Sequence, residues 1–199
     1  MKQIYLDNQS NTKMDDIVFD AMLPYLKENY GNPQSIYSLG QISKDAVEQA
    51  RVSVAKLINA QSSEIIFTSC GSESNNLAIK GFAYANSKKG KHIIVSSIEH
   101  FSVLNSVKSL SAEGFEITYL QVDKEGFVKL EELEKSIRQD TILVSIQHAN
   151  TEIGVIQNMQ AISKIVKEKK IALHVDAVCT AGIIPVDVSS LNVDLLTLA

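Results

Sequence analysis

Short apolar runs alternate along this chain with longer amphipathic stretches. The runs are rich in β-branched residues and mostly lack polar–apolar alternation, which is typical of strands covered on both faces. They lie at 65–67, 93–95, 117–120, 142–146 and 171–175, with a further candidate at 193–198. Apolar residues recur at helical spacing at 46–58, 77–85, 103–110 and 162–166, and another helix is expected near 16–30. This order predicts an α/β fold with a mostly parallel sheet and helices on both faces.

Composition narrows the possible partners and compartments. The 199 residues accommodate one sizeable domain, of which 1–14 are expected to form an arm outside the sheet. A net charge of -4 provides no basic surface for nucleic acid or an anionic membrane. No apolar window approaches a membrane span, and the opening apolar run is too short for a signal peptide. We therefore expect a soluble, cytoplasmic protein that binds neither nucleic acid nor membrane.

Cysteine and histidine spacing argues against a metal site. The two cysteines and four histidines are scattered along the chain. A structural zinc site needs closely spaced pairs of such ligands, and a disulfide framework needs more cysteines. We therefore predict neither a metal nor a disulfide framework.

The residues that follow the predicted strands carry the candidate chemistry, because ligands of open α/β sheets bind at the carboxyl ends of the strands. Gly71 and Ser72 follow the first run. Small residues there let the backbone approach a ligand, Ser72 or Ser74 can cap a helix, and the free N–H groups suit a phosphate. The alternative is an ordinary capped helix without a ligand.

Three polar side chains follow later strands, and each has a structural alternative. His100 can stack on a flat ring or move a proton, or it is a hydrogen-bonded loop histidine. Asn150 can bond a ligand oxygen, or it serves turn chemistry. Asp176 ends an apolar strand, where an acid needs a partner: a protonated pyridine nitrogen, an arginine, or the start of the next helix.

The order of motifs along the chain resembles that of the cysteine desulfurases. Six motifs of that family have counterparts in this chain, at 4–12, 31–35, 68–76, 99–104, 150–157 and 174–177. In the same order, the family's motifs are an opening Tyr-Leu-Asp-Asn-x-Ala-Thr type segment, Gly-Asn-Pro-x-Ser, Thr-Ser-Gly-Gly-Thr-Glu-x-x-Asn, Glu-His-x-Ser/Ala-Val-Leu, Asn-Asn-Glu-Ile-Gly-x-x-Gln and His-x-Asp-Ala. No single motif is decisive, but all six occur in the family's order and at its approximate spacing.

The resemblance implies the large domain of a fold type I enzyme that uses pyridoxal 5'-phosphate (PLP). Gly71 and Ser72 would then hold the phosphate, His100 would stack on the ring, and Asp176 would pair with the pyridine nitrogen. Asn150 would approach the phenolic oxygen and the substrate. Such enzymes convert L-cysteine to L-alanine and pass the sulfur as a persulfide to acceptors or iron–sulfur scaffold proteins, for iron–sulfur cluster or thio-cofactor assembly. They are typically homodimers.

The chain departs from the family pattern at several positions. Cys179 stands where the family has a glutamine that bonds the phenolic oxygen, and Cys70 replaces a small residue. A thiol is a poor substitute donor, so Cys179 is a candidate cofactor contact or merely a small buried thiol.

The match ends with the strand at 193–198, a few residues before the family's Schiff-base lysine. Residues 15–199 are therefore expected to form a partial PLP-binding large domain, without the persulfide cysteine and the small domain. The resemblance implies weak non-covalent PLP binding and no desulfurase activity by this chain alone. Alternatives are half of a selenocysteine lyase or of another class V aminotransferase, or a non-catalytic remnant or interaction subunit.

Overall fold

A computed structural model describes residues 4–8 and 10–199 of the chain. The chain divides into two compact units: Met1–Lys56 with Gln61–Ile65, and Leu57–Ala60 with Ile66–Ala199. The expected arm at 1–14 falls partly outside the described residues, and its boundary stays a prediction.

The first unit contains helices α1 (Asp16–Lys27) and α2 (Ser38–Leu57) and a short 3-10 turn (Ser62–Glu64). The Asp15 carboxylate starts α1 by accepting the Ile17 N–H at 2.8 Å. The predicted break after α1 is confirmed, because the helix ends at Lys27 and a turn follows at 31–35. Gly40 allows this turn to lie against α2, since a Cβ there would be 2.6 Å from the Ser35 carbonyl oxygen.

The second unit is built on a five-stranded sheet in the order β2-β1-β3-β4-β5, and every neighbouring pair is parallel. Its strands are β1 (His92–Ser96), β2 (Glu116–Leu120), β3 (Thr141–Ser145), β4 (Ala172–Asp176) and β5 (Leu195–Thr197). Its helices are α3 (Gly71–Asn76), which continues through a π turn (Leu77–Gly81) into α4 (Phe82–Asn86), then α5 (Phe101–Ala112), α6 (Leu130–Ser136), α7 (Met159–Glu168) and α8 (Val188–Leu191).

The central strands are buried along their whole length, which explains their continuous apolar sequences. Every residue of β1 and β3 is buried. The core includes Ile93, Val95 and Leu143 from these strands and Val103 and Val107 from α5. The predicted parallel α/β fold is confirmed, with five of the six predicted strands in place.

The predicted strand at 65–67 is wrong. Ile65 leaves the 3-10 turn in extended conformation, but residues 65–67 pair with no strand in the described part of the chain. Ile66 is 70% exposed. Apolar, β-branched sequence favours a strand, but a strand also needs a ladder partner. Helices α6 and α8 and the π turn were not predicted from the sequence.

Two of the predicted absences concern membrane-spanning helices and metal-binding clusters. No helix between residues 4 and 199, position 9 aside, is long and apolar enough to cross a membrane. The same residues contain no cluster of three or more histidine, cysteine or acidic side chains able to hold a metal ion.

Candidate functional site

Loops at the carboxyl ends of three adjacent strands form the candidate site. The order β1-β3-β4 brings together the segments that follow these strands. The Gln147 N–H donates to the Glu99 carboxylate at 2.8 Å, and the His148 N–H donates to the Asp176 carbonyl at 2.8 Å. The sheet therefore joins parts of the chain that are distant in sequence, as the strand-end rule predicts.

Asp176, the last residue of β4, is buried and held by two N–H donors. The Asn75 side-chain amide donates to Oδ2 at 2.8 Å, and the Val178 backbone N–H donates to Oδ1 at 3.0 Å. A buried carboxylate is costly unless it is hydrogen-bonded, and these donors reduce that cost. Each oxygen keeps further acceptor capacity for a ligand. Asp176 thus has the character expected of a partner for a cationic ring nitrogen.

His100 is the exposed N-cap of α5. Its Nδ1 lies 2.7 Å from the Ser102 hydroxyl and accepts the Ser102 backbone N–H at 3.2 Å. His100 is therefore hydrogen-bonded at Nδ1, as the structural alternative expected. The exposed ring still leaves a face and Nε2 for a ligand, so both functional roles remain open to it.

Helix α3 begins at Gly71, which corrects the predicted capping. Its N-cap is Cys70, and neither Ser72 nor Ser74 caps it. Both serines lie inside the helix, where their hydroxyls cannot reach forward to the free N–H groups of the first turn. Ser74 is instead bonded to the Thr68 hydroxyl at 2.7 Å. Gly71 and Ser72 thus offer first-turn backbone N–H groups, the feature that suits a phosphate.

Gly71 lies so close to neighbouring side chains that a Cβ at this position would have little room. A Cβ there would be 2.9 Å from Val178 Cγ2 and 3.4 Å from the Ala199 side chain. Because Val178 also bonds Asp176, the first turn of α3 lies directly against the loop that holds the carboxylate. The two predicted cofactor contacts, at the phosphate and at the ring nitrogen, are therefore neighbours.

Asn150 serves turn chemistry. Its Oδ1 accepts the N–H groups of Glu152 and Ile153 at 2.9 and 3.1 Å, and its Nδ2 donates to the Ile98 carbonyl at 2.9 Å. This is the structural alternative that the sequence left open. An amide nitrogen carries two protons, so one N–H of Asn150 is still available to a ligand oxygen.

The two cysteines flank the site and differ in acidity. Both thiols are free and exposed. The pKa of Cys70 is lowered, first by the Glu73 N–H and then by the Ser69 hydroxyl. The pKa of Cys179 is raised, first by partial desolvation and then by the Asp176 carboxylate. Cys179 therefore stays protonated beside Asp176, and its role as a cofactor contact remains a prediction.

Glu99 is a buried acid that the sequence analysis assigned no role. It is 5% exposed, and burial raises the pKa of its carboxyl group well above the usual value. The Gln147 N–H lowers that pKa in part, and Asp176 raises it further. Two carboxyl groups therefore share this region, and the environment of Glu99 favours its neutral form.

The residues present fit PLP by the chemistry of their donors and acceptors. A buried, hydrogen-bonded carboxylate suits a pyridine nitrogen, first-turn N–H groups suit a phosphate, and an exposed imidazole suits a ring face. Asp176, Gly71, Ser72 and His100 supply these groups within one unit of the chain.

Comparison with known proteins decides the family. The model of the aminotransferase class-V family matches residues 4–199. The chain belongs to the class-V aminotransferase family. Among curated relatives, it is 54% identical to a cysteine desulfurase IscS of Dictyoglomus turgidum and 52% identical to one of Methanosarcina thermophila, and it is covered completely in both matches. It spans 50% and 49% of these relatives, so it has about half their length.

Solved structures agree with this membership of the class-V aminotransferases. A NifS-like protein superposes with a TM-score of 0.97 at 43% identity, covering 100% of this chain and 55% of the other. A structure described as SspA in complex with cysteine gives a TM-score of 0.93 at 36% identity, covering 96% of this chain and 55% of the other. The predicted resemblance to the first half of a cysteine desulfurase, and the predicted fold, are confirmed.

Two polar residues that no sequence pattern singled out, Asn75 and Ser102, connect the site of this class-V aminotransferase chain. Asn75 bonds Asp176 and Ser102, and Ser102 bonds His100. Asn75 lies one helical turn after Gly71, so it shares a face with the predicted phosphate-binding turn. That spacing was a usable signal, whereas the partner Asp176 is 101 positions away in sequence.

Proposed function

We propose that the protein is a PLP-dependent cysteine desulfurase of the class-V aminotransferase family, to which this chain contributes the cofactor-binding half. The observation that carries the proposal is the buried Asp176 carboxylate, held by Asn75 and Val178 beside the first turn of α3. The cysteine desulfurase relatives, at up to 54% identity among those named above, support the choice of L-cysteine as substrate and L-alanine as product.

PLP, when bound, supplies an electron sink for bonds at the substrate's α-carbon. In this proposal, Asp176 keeps the ring nitrogen protonated, and Gly71 and Ser72 bind the phosphate through backbone N–H groups. His100 covers the ring, and Asn150 offers its remaining N–H to an oxygen of the cofactor or substrate. Cys179 lies beside Asp176 as a protonated thiol, so it can donate only a weak hydrogen bond.

We further propose that the sulfur passes as a persulfide to acceptor or iron–sulfur scaffold proteins, in a cytoplasmic homodimer. The names of the cysteine desulfurase relatives support the sulfur transfer. The homodimer and the cytoplasmic location are what the resemblance to the family implies. A polypeptide limited to these 199 residues should release no sulfide from L-cysteine above a PLP-only blank, because the resemblance implies that the Schiff-base lysine and the persulfide cysteine lie beyond the half of the relatives that this chain matches. Sulfide above the blank would contradict this.

A PLP titration tests the assigned pocket. Equilibrium dialysis of the protein against PLP should show saturable binding, and Asp176→Ala should weaken it at least about tenfold, since it removes a charge-assisted hydrogen bond. Asp140→Ala is the matched control, because Asp140 is a half-buried acid just before β3, at the opposite end of the sheet, paired with Arg138. Equal affinity of Asp176→Ala and the parent would overturn the pocket assignment.

A further inference from the structure

Asn75 is buried beneath the candidate site and donates two hydrogen bonds. It is 1% exposed and is the penultimate residue of α3, directly before the π turn. Its Nδ2 lies 2.8 Å from Asp176 Oδ2 and 2.8 Å from the Ser102 hydroxyl oxygen. An amide nitrogen carries two protons, so both are committed to these two acceptors.

The orientation of this amide follows from its contact with the carboxylate. If the amide were rotated by half a turn, Asn75 Oδ1 would face Asp176 Oδ2, and two acceptors would oppose each other without a proton between them. In the observed orientation, Oδ1 is buried and has no hydrogen-bond partner among the described residues. The amide therefore donates to both Asp176 and Ser102, while its own carbonyl oxygen accepts no hydrogen bond from the described residues.

Because Asn75 is a donor to the Ser102 oxygen, His100 Nδ1 is the partner that can accept the Ser102 proton among the hydrogen bonds of the described residues. The Ser102 oxygen accepts from Asn75, and its own single proton is left to donate to His100 Nδ1 at 2.7 Å. The Ser102 backbone N–H donates to the same nitrogen at 3.2 Å. Nδ1 therefore receives two donors and carries no proton of its own. The neutral imidazole must hold its proton at Nε2.

We propose that Asn75 is the positioning residue of this site: it holds the Asp176 carboxylate and, through Ser102, sets His100 as the tautomer with its proton on Nε2. This rests on the proposed function, which makes Asp176 and His100 the partners of the cofactor ring. The hydrogen bonds diverge from the Asn75 amide: it donates to the Asp176 carboxylate on one side and to the Ser102 hydroxyl on the other, and Ser102 donates in turn to His100 Nδ1. His100 consequently meets the ring and the substrate as a proton donor at Nε2, whereas a base at Nε2 would require the other tautomer.

The test is nitrogen NMR of the His100 ring in the protein without added PLP, with His100→Gln used to assign the signals. The parent should show an unprotonated Nδ1 and a protonated Nε2. Asn75→Leu and Ser102→Ala should each give a mixture that includes the Nδ1–H tautomer, because the directed donation to Nδ1 is weakened. Asp140→Ala, at the other end of the sheet, should match the parent. An unchanged tautomer in both Asn75→Leu and Ser102→Ala would overturn the proposal.

PLP affinity separates this proposal from the proposed function. Both variants should bind PLP at least about tenfold more weakly if the hydrogen bonds position Asp176 and His100 for the ring. Loss of stability without a change of tautomer would mean a purely structural role for Asn75 and would refute the inference. If the parent binds no PLP, the proposed function fails, while the NMR result still decides whether Asn75 sets the His100 tautomer. Ser102→Ala keeps the test valid if Asn75→Leu does not fold, since it removes only one oxygen atom.

Discussion

The Glu99 carboxyl group and the Gln147 backbone N–H form a buried hydrogen bond of 2.8 Å that joins the loops after β1 and β3. The second carboxyl oxygen of Glu99 has no hydrogen-bond partner among the described residues. A neutral acid tolerates this environment far better than an anion does. The bond therefore connects the segments that carry His100 and Asn150 through a group whose pKa is raised by burial.

Glu99→Gln should make the protein less sensitive to alkaline pH. Because the folded-state pKa of Glu99 is raised, its contribution to stability is complete below the ordinary value of 4.5 and is lost as the pH rises through the folded pKa. Glutamine keeps the acceptor for Gln147 and cannot ionise. Thermal unfolding from pH 5 to pH 9 should show a smaller fall in Tm for Glu99→Gln than for the parent. Glu131→Gln, an exposed control, should follow the parent; identical profiles for all three proteins would contradict the prediction.

His174 should make the folded protein less stable as the pH falls. It lies between the Ser145 and Thr197 hydroxyls, at 2.8 and 3.0 Å, and burial lowers its pKa from 6.5 to about 4, although Asp176 raises it in part. Its contribution to stability is complete above 6.5 and is lost as the pH falls through the folded pKa of about 4, a total of about 3 kcal/mol.

NMR titration of the His174 ring provides the measurement. The ring signals should stay those of a neutral imidazole until the pH approaches about 4. His174→Gln should be less stable at pH 7 and should lose less Tm between pH 7 and pH 5 than the parent does. A His174 ring that titrates near 6.5 would show that the site is open to water.

Gly71→Ala should weaken PLP binding several-fold. The new methyl group would lie 2.9 Å from Val178 Cγ2, so it would displace the loop whose N–H holds Asp176. Gly81→Ala is the matched control, since the nearest side-chain atom to its methyl group among the described residues would be Leu77 Cδ1, at 3.9 Å. Equilibrium dialysis against PLP should show reduced affinity for Gly71→Ala alone. Equal affinities of the two variants would mean that the contact with Val178 does not support the site.

Gly126→Ala should destabilise the protein by about 1–3 kcal/mol or more, because it combines backbone strain with a steric clash. Gly126 has a φ of +94°, and a Cβ would overlap Ile153 Cδ1 and lie 3.2 Å from Val155 Cγ1. Gly182 provides a comparison, because its φ is +80° and, its chain neighbours aside, no atom of the described residues lies within 4 Å of its Cβ position. Urea unfolding should show a smaller loss of unfolding free energy for Gly182→Ala than for Gly126→Ala. The difference between the two losses measures the contribution of the clash. Equal losses of unfolding free energy would mean that the positive φ accounts for the whole destabilisation and that the clash contributes nothing.

Much of the fold was predictable because local pattern and burial agree along most strands. The apolar run at 142–146 became β3, whose residues are all buried, and the run at 93–95 became β1. The run at 65–67 has the same local character but is not a strand, since no ladder partner is present for it in the described chain. Local sequence reports what a segment favours, and pairing depends on a segment far away.

The sequence by itself determined which chemical groups stand at the strand ends of this protein. Asp176 and His100 could be singled out because parallel strands present their carboxyl ends at one edge of the sheet. Gly71 was singled out by the same rule from a run at 65–67 that forms no strand. Only the tertiary structure decided how these groups are held: that Asn75 rather than an arginine bonds Asp176, that α3 begins at Gly71 without a serine cap, and that Ser102 occupies His100 Nδ1. Hydrogen-bond direction depends on distances between atoms that are up to 101 residues apart, and no local pattern encodes those distances.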